Sequence, residues 1–397
     1  MSEREQLIKI LNLVCSLFVK ITSGGIHLIK KYSLKKLIIL FFVIISGTVL
    51  CEEYLKGKII ERTGSVLENN IYTQTEISDE IKNIEVYKVK IGKEIIVIEQ
   101  PIYNDNSLNI DFHTGDTVVV MKDADENGEM YFVTDVDKRG DYLVLSLGFI
   151  FMTIILAKLK GVKALFALGI SVVAIFYFFI PLVIKGYSPI FLSVITALFS
   201  SVITIYFVTG FNKKGITAIL GSIGGVMCSG ILSEIFVRKM ALTGYSTIDA
   251  IGYAGFLQGI QVRELVSAGI ILGSMGAVMD VAMSISSSLS EIKEKNSDLS
   301  PWELFKSGIH IGSDVVGTMI NTLILAYIGS SLFDMIIISI HIQELPMIRL
   351  LNYEFIAVEI LKSFSGSIGI LAAIPLTAYL SSYMGTGKNI FKDRRTR

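Results

Sequence analysis

Residues 272–289 read Leu272-Gly-Ser-Met-Gly-Ala-Val-Met-Asp-Val-Ala-Met-Ser-Ile-Ser-Ser-Ser-Leu289. This stretch is apolar enough to cross a membrane, yet it is rich in glycine and serine and carries one carboxylate, Asp280. An ionisable side chain at the centre of a bilayer costs roughly 2.5–3.5 kcal/mol on insertion scales. Such groups persist mainly where they face a bundle interior or a wet cavity, so the stretch predicts a functional membrane helix rather than a passive anchor.

The composition of the whole chain is typical of a polytopic membrane protein. Of its 397 residues, 52% are hydrophobic and only 18% are charged. The zero net charge hides an asymmetry, because residues 52–141 contain 20 Asp and Glu against 10 Lys and Arg. We therefore expect an acidic soluble insert attached to a basic membrane body. The three cysteines, Cys15, Cys51 and Cys228, predict no disulfide framework.

Hydropathy and charge predict a mainly α fold, a polytopic helical bundle of about eight spans with a small extracytoplasmic β-barrel. Residues 1–36 form a cytoplasmic amphipathic leader, 37–54 the first transmembrane helix, 142–385 a seven-span membrane domain, and 386–397 a basic cytoplasmic tail. The lysines and arginines that flank the spans predict both termini on the cytoplasmic side of a bacterial membrane. The seven later spans are expected at 142–159, 163–184, 189–210, 215–237, 264–289, 310–333 and 363–384.

The insert at residues 55–141 alternates apolar and polar side chains in the manner of short strands. Tyr87 to Ile98 predicts two strands joined by a turn at Gly92-Lys93, and Asn127-Gly128 is a strong hairpin signal. A small barrel of the SH3 or OB kind is the expected closure.

Polar residues at three- and four-residue spacing fall on one face of the sixth span and one face of the seventh. We predict that these two faces meet in a polar seam that holds a coupling ion or a substrate, with a purely structural hydrogen bond of Asp280 as the alternative. The seam residues are Asp280, Ser284, Asp314, Thr318 and Asn321. The glycines expected to let helices pack closely are Gly273, Gly276, Gly317, Gly366 and Gly369.

Motifs of enzymes and metalloproteins are missing from the sequence. It contains no Gly-x-x-x-x-Gly-Lys-Ser/Thr phosphate loop, no His-Glu-x-x-His motif and no Gly-x-Ser-x-Gly elbow. Its four histidines are scattered along the chain. We therefore expect no catalytic residue, no cofactor and no metal site. Glu234 and Glu359, near outer helix ends, are expected to lie at the membrane interface.

Three motifs carry a family resemblance. They are Gly273-Ser-Met-Gly-Ala-Val-Met-Asp, Asp314-Val-Val-Gly-Thr-Met-Ile-Asn and Gly366-Ser-Ile-Gly-Ile-Leu-Ala-Ala-Ile-Pro. Over residues 40 to 385 the chain resembles the YibE/F family of multispan bacterial membrane proteins, which implies a loosely permease-like activity. A weaker similarity links Asp280, Asp314 and Asn321 to the membrane halves of SecD and SecF, which implies proton coupling. This chain departs from that pattern because it lacks their large outer domain and has extra spans before Asp280.

Two functions from different classes follow. The first is a permease or an ion-coupled transport or export factor of the bacterial cytoplasmic membrane. The second is a non-transporting envelope scaffold that presents the outer β-domain to a partner. The expected partners are the lipid bilayer, a small solute or ion, and a protein at the outer domain, with no nucleic acid.

Overall fold

The computed structural model describes residues 54–65, 81–105, 109–125, 128–210, 212–257, 259–341 and 346–384. The expected leader, the basic tail and, apart from Tyr54, the expected first span lie outside these ranges. The described residues divide into two compact units, with the boundary after Leu156.

The first unit contains a five-stranded antiparallel sheet. Its strands are β1 (Tyr54–Ser65), β2 (Ile81–Ile91), β3 (Glu94–Tyr103), β4 (Thr117–Asp125) and β5 (Gly128–Val136). They are ordered β3-β2-β1-β4-β5, and the two edge strands approach each other, so the sheet is nearly closed. The expected barrel-like domain is thus confirmed.

The hairpin between β2 and β3 forms where the sequence predicts it. Gly92 adopts φ +60°, a conformation that glycine accepts without steric cost, and Ile91 pairs with Glu94 across the turn. Inside the sheet the ring of Tyr87 meets that of Phe112 edge to face, with centroids 5.8 Å apart. The remaining core side chains of the sheet are Ile59, Val89, Ile98, Val118, Val120 and Val133.

A long helical run follows the sheet and carries the chain from the first unit into the second. It consists of α1 (Arg139–Ala174), a π-helical turn (Ile175–Phe179) and α2 (Ile180–Ile184). The spans expected at 142–159 and 163–184 both fall within it. At Lys158 the backbone leaves the helical conformation, with φ 51° and ψ −135°, which is close to the predicted loop.

The rest of the second unit is helical. Its long helices are α3 (Pro189–Thr209), α4 (Lys213–Lys239), α6 (Val262–Lys295), α7 (Pro301–Ser330) and α10 (Glu354–Met384). Shorter elements are α5 (Ile248–Gly252), a 3₁₀ turn (Ala254–Leu257), α8 (Leu332–His341) and α9 (Met347–Leu351). Within the described ranges, six helical runs are long and apolar enough to cross a membrane.

Two helices are longer than the sequence patterns predict. Ser300 caps α7, because its hydroxyl oxygen accepts a hydrogen bond from the backbone N–H of Glu303. In turn, the Glu303 carboxylate accepts a hydrogen bond from the backbone N–H of Ser300. From this cap α7 runs without a break into the span expected at 310–333, because no residue between them breaks the helix. Likewise, α10 begins at Glu354, nine residues before the span expected at 363–384. Pro375 lies inside α10 without ending it.

The core of the membrane body is the contact among α4, α6 and α10. A Cβ added at Gly225 of α4 would lie 2.7 Å from the Gly369 carbonyl oxygen of α10 and 2.7 Å from a methyl group of Val278 on α6. One added at Gly369 would lie 2.8 Å from the Ser229 Cβ. These helices therefore touch backbone to backbone, which only small residues permit.

The first prediction concerns this contact. Gly225→Val should destabilise the protein by about 1–3 kcal/mol, because the added methyl groups have no room between α6 and α10. Gly276→Val is the control, since among the described residues nothing lies within 4 Å of a Cβ at Gly276. Thermal unfolding in detergent, followed by size-exclusion chromatography, measures both. Equal losses in the two variants would contradict the packing described here.

Candidate functional site

The two polar rows predicted to form a seam lie on exposed faces of their helices. Asp280 and Ser284 are exposed on α6, and Asp314, Thr318 and Asn321 are exposed on α7. The buried residues of α7, which are Leu304, Gly308, Gly312 and Leu323, lie on the opposite side of that helix.

The packing predicted for the seam is accordingly different in the structure. Within the described ranges no atom lies within 4 Å of a Cβ at Gly276 or Gly317, so neither glycine brings two helices together. The physical reason is that the opposite face of α6 packs into the core, where Val278 lies in the space left by Gly225 of α4. Asp280 and Asp314 remain candidate coupling residues, but on open faces rather than in a closed seam.

Three other predicted glycines do lie at close helix contacts. A Cβ at Gly273 would meet the Tyr327 hydroxyl at 2.7 Å, and one at Gly366 would meet a methyl group of Leu323 at 2.9 Å. Gly369 lies in the contact with α4 already described. Glycines at these positions hold α6, α7 and α10 together.

The structure brings together a set of hydroxyls between α4, α6 and α10, which we call the hydroxyl row; all are buried except Ser381, which is partly buried. At one end, Thr217 and Ser286 share a hydrogen bond of 2.7 Å, and Ser381 donates to Thr217 at 3.1 Å. Ser286 also donates to the Lys214 carbonyl at 2.7 Å. The members of the hydroxyl row are Thr217, Ser229, Ser274, Ser286, Thr377 and Ser381.

Further along the row the hydroxyls are less completely bonded. The Thr377 side chain fills the notch at Gly221, and its Oγ1 is buried with no hydrogen-bond partner among the described residues. Ser229 and Ser274 approach to 3.4 Å, and Ser274 already donates to the Ile270 carbonyl at 2.8 Å. A buried hydroxyl without a full set of partners is costly in an apolar environment, so this part of the row is suited to accept another polar group.

Sequence reasoning missed the hydroxyl row, although α4 carries a signal for it. Small residues recur at every fourth position in the order Thr217, Gly221, Gly225, Ser229 and Ser233. That spacing places them on one face of a helix, where small residues allow close packing and hydroxyls can bond across the contact.

Beyond the row, two polar side chains are buried near the start of α10. Glu359 was expected at the membrane interface, but its side chain is only 7% exposed. Its Oε1 accepts a hydrogen bond of 2.6 Å from Lys362, while its Oε2 has no partner among the described residues. The Tyr327 hydroxyl, in the notch beside Gly273, is likewise buried and without a partner in that part of the chain.

A polar cleft of about 490 Å³ opens at the same end of the bundle. Charged residues of both signs line it, because Glu234 and Arg238 come from α4 while Arg263 and Glu264 come from α6. Glu234 pairs with Arg238 and accepts a hydrogen bond of 3.0 Å from the buried Ser267. The cleft thus gives water a polar approach to the helix ends.

Helical runs of this length and apolarity, packed around buried hydroxyls, define a multi-pass membrane protein. The profile of the YibE/F-like protein family matches residues 145–387. That range covers more than half of the sequence, so the chain belongs to this family. No curated protein matches it. A search of solved structures likewise finds no match.

The second prediction tests the best-bonded part of the hydroxyl row. A double-mutant cycle with Thr217→Val and Ser286→Ala should give a coupling energy of about 0.6 kcal/mol, rising to about 1.7 kcal/mol at most, which is the range for hydrogen bonds between membrane helices. A parallel cycle pairing Thr217→Val with Ser339→Ala is the control, because the Ser339 hydroxyl bonds only its own helix backbone in the described structure. Unfolding in mixed micelles supplies the free energies. Coupling of the same size in both cycles would contradict the contact.

Proposed function

We propose that this chain is an ion-coupled permease, in which the hydroxyl row is the path for a proton or a small cation. The observation that carries the proposal is the recurrence of hydroxyls along the contact among α4, α6 and α10. The row begins beside Lys214, continues with Thr377, and includes Ser229 and Ser274 in the half of the bundle that carries the cleft.

In the conformation described, the path is closed. The backbones of α4 and α10 meet at Gly225 and Gly369, and a Cβ on either residue would clash. Contacts of this kind change by small sliding movements of packed helices, which is one of the known modes of conformational switching. Transport in this proposal therefore requires α4 and α10 to shift against each other.

We further propose that the bundle lies in the bacterial cytoplasmic membrane with the β-domain outside. Lys213 and Lys214 begin α4, and Lys293 and Lys295 lie in the last turn of α6. Because cytoplasmic loops carry an excess of lysine and arginine, these helix ends are assigned to the cytoplasm. Both chain termini fall on that same side, in agreement with the basic residues at 388–397.

The third prediction tests this orientation. In a variant with Cys15, Cys51 and Cys228 replaced by serine, a membrane-impermeant maleimide should label Glu94→Cys in intact spheroplasts. Ser297→Cys, in the connection between α6 and α7, should react only after the membrane is opened. The opposite pattern of labelling would reverse the proposed orientation.

The fourth prediction tests transport. Proteoliposomes containing the wild-type chain and a trapped pH indicator should dissipate an imposed pH gradient faster than empty liposomes when a potassium diffusion potential is applied. Thr377→Val keeps the shape that fills the Gly221 notch but removes the hydroxyl. It should slow the flux about tenfold, which corresponds to about 1.4 kcal/mol in the barrier.

Ser339→Ala is the matched control for Thr377→Val and should keep the wild-type rate, since its hydroxyl lies on an exposed helix face. Equal rates in wild type and Thr377→Val would remove the hydroxyl row from the transport path. No flux in wild-type liposomes, for protons or for potassium, would contradict the permease proposal.

One observation favours the scaffold as the second candidate. Ile95 and Val97 of β3 are 60% and 57% exposed and share one face of the sheet. Their cross-strand neighbours are Lys90 and Lys88, so the face combines apolar and basic side chains. Such a face suits an acidic protein partner. A scaffold would account for a chain that shows no flux but loses its role in cells when Ile95 is replaced by aspartate.

A further inference from the structure

Glu359 is a carboxylate inside a membrane helix, near the start of α10. Its side chain is 7% exposed, and its one strong contact is the ion pair with Lys362, one turn further along the same helix. Lys362 is 30% exposed, so the cation has a way out to water while the carboxylate does not. The second carboxylate oxygen, Oε2, is buried without a hydrogen bond in the described ranges.

A second unbonded polar group belongs to α7. The Tyr327 hydroxyl is buried and has no hydrogen-bond partner among the described residues. It occupies the space between Gly273 and Gly366, beside Ser274 of the hydroxyl row. Gly366 is two turns along α10 from Glu359, so Tyr327 lies at the end of the row that is nearer to the carboxylate.

The other charged groups at this level are already engaged. Gly366 packs on Ser274, so Glu359, two turns earlier on α10, is level with Ser267 of α6. Ser267 donates to Glu234, which Arg238 of α4 also holds. Lys362 is thus the only cation shown bonding to Glu359 in the described part of the chain.

A buried carboxylate can be neutralised in two ways, by a cation or by a proton. The ion pair with Lys362 is the first of these. In the second, a proton binds Oε2, the ion pair breaks, and Lys362 keeps its own proton and turns to water. The neutral carboxyl then has an O–H that can donate, and the two states exchange one proton without leaving an unpaired buried charge.

We propose that Glu359 is the proton-binding site of this protein, with Lys362 as the internal cation that competes with the proton and Tyr327 as the hydroxyl that links the site to the hydroxyl row. The role of Glu359 in transport rests on the proposed function, but the protonation of Glu359 does not. Protonation of Glu359 can be observed whether or not an ion is moved.

The fifth prediction follows. Infrared difference spectra of the purified full-length chain in lipid nanodiscs, recorded as the pH is lowered, should contain a protonated-carboxyl band that is lost in Glu359→Gln. In Lys362→Gln the same band should appear at higher pH, with proton binding about tenfold tighter or more, because an opposite charge next to the carboxylate has been removed. Asp334→Asn, in the first turn of α8, is the control and should leave this band unchanged.

The outcomes separate the site from the function. A band that persists unchanged in Glu359→Gln would overturn the inference. If Glu359→Gln does not fold, the Lys362→Gln variant is the test. A band that appears at the same pH in that variant as in the wild type would also overturn the inference. Proton flux retained in Glu359→Gln with an unchanged pH profile would remove Glu359 from transport and leave the permease standing. A titrating Glu359 band in a chain without flux would remove the permease and leave the site.

Discussion

The close approach of α4 and α10 is the contact on which the rest of the membrane body depends. At Gly225 and Gly369 each helix presents bare backbone to the other, and a side chain on either would collide with a carbonyl oxygen. In lipid there is little hydrophobic drive between helices, so association relies on close packing and on hydrogen bonds across the contact. Here close packing makes a hydrogen bond possible, because Ser381 of α10 reaches Thr217 of α4, two turns from Gly225, only when the two backbones are this close.

The same contact determines how α6 is oriented. Val278 fits beside Gly225, and Ile271 packs at Gly230, so the face of α6 that carries both side chains turns inward. Asp280 is then left on the outer side. The exposure of Asp280 is therefore a consequence of the packing of Val278 and Ile271 against the glycines of α4.

Local signals in the sequence predicted local structure well. The Gly92 turn and the apolar spans each depend on residues close to one another in the sequence, and the structure contains both. The exposure of the seam residues could not be predicted, because helical spacing shows which residues share a face but not which neighbour that face meets. The burial of Glu359 was equally beyond sequence reasoning, since it depends on which helices pack against α10.

Pro375, inside α10, affects where this helix bends most easily. A proline has no backbone N–H, so the carbonyl of Leu371, four residues earlier, loses its usual partner in the helix. The stiffness of α10 is lowest over this single turn, which includes Ala373 and ends just before Thr377. Helix bends are favoured at such a turn, so the final two turns, which hold Thr377 and Ser381 against α4, can tilt separately from the half that contacts α4 at Gly369.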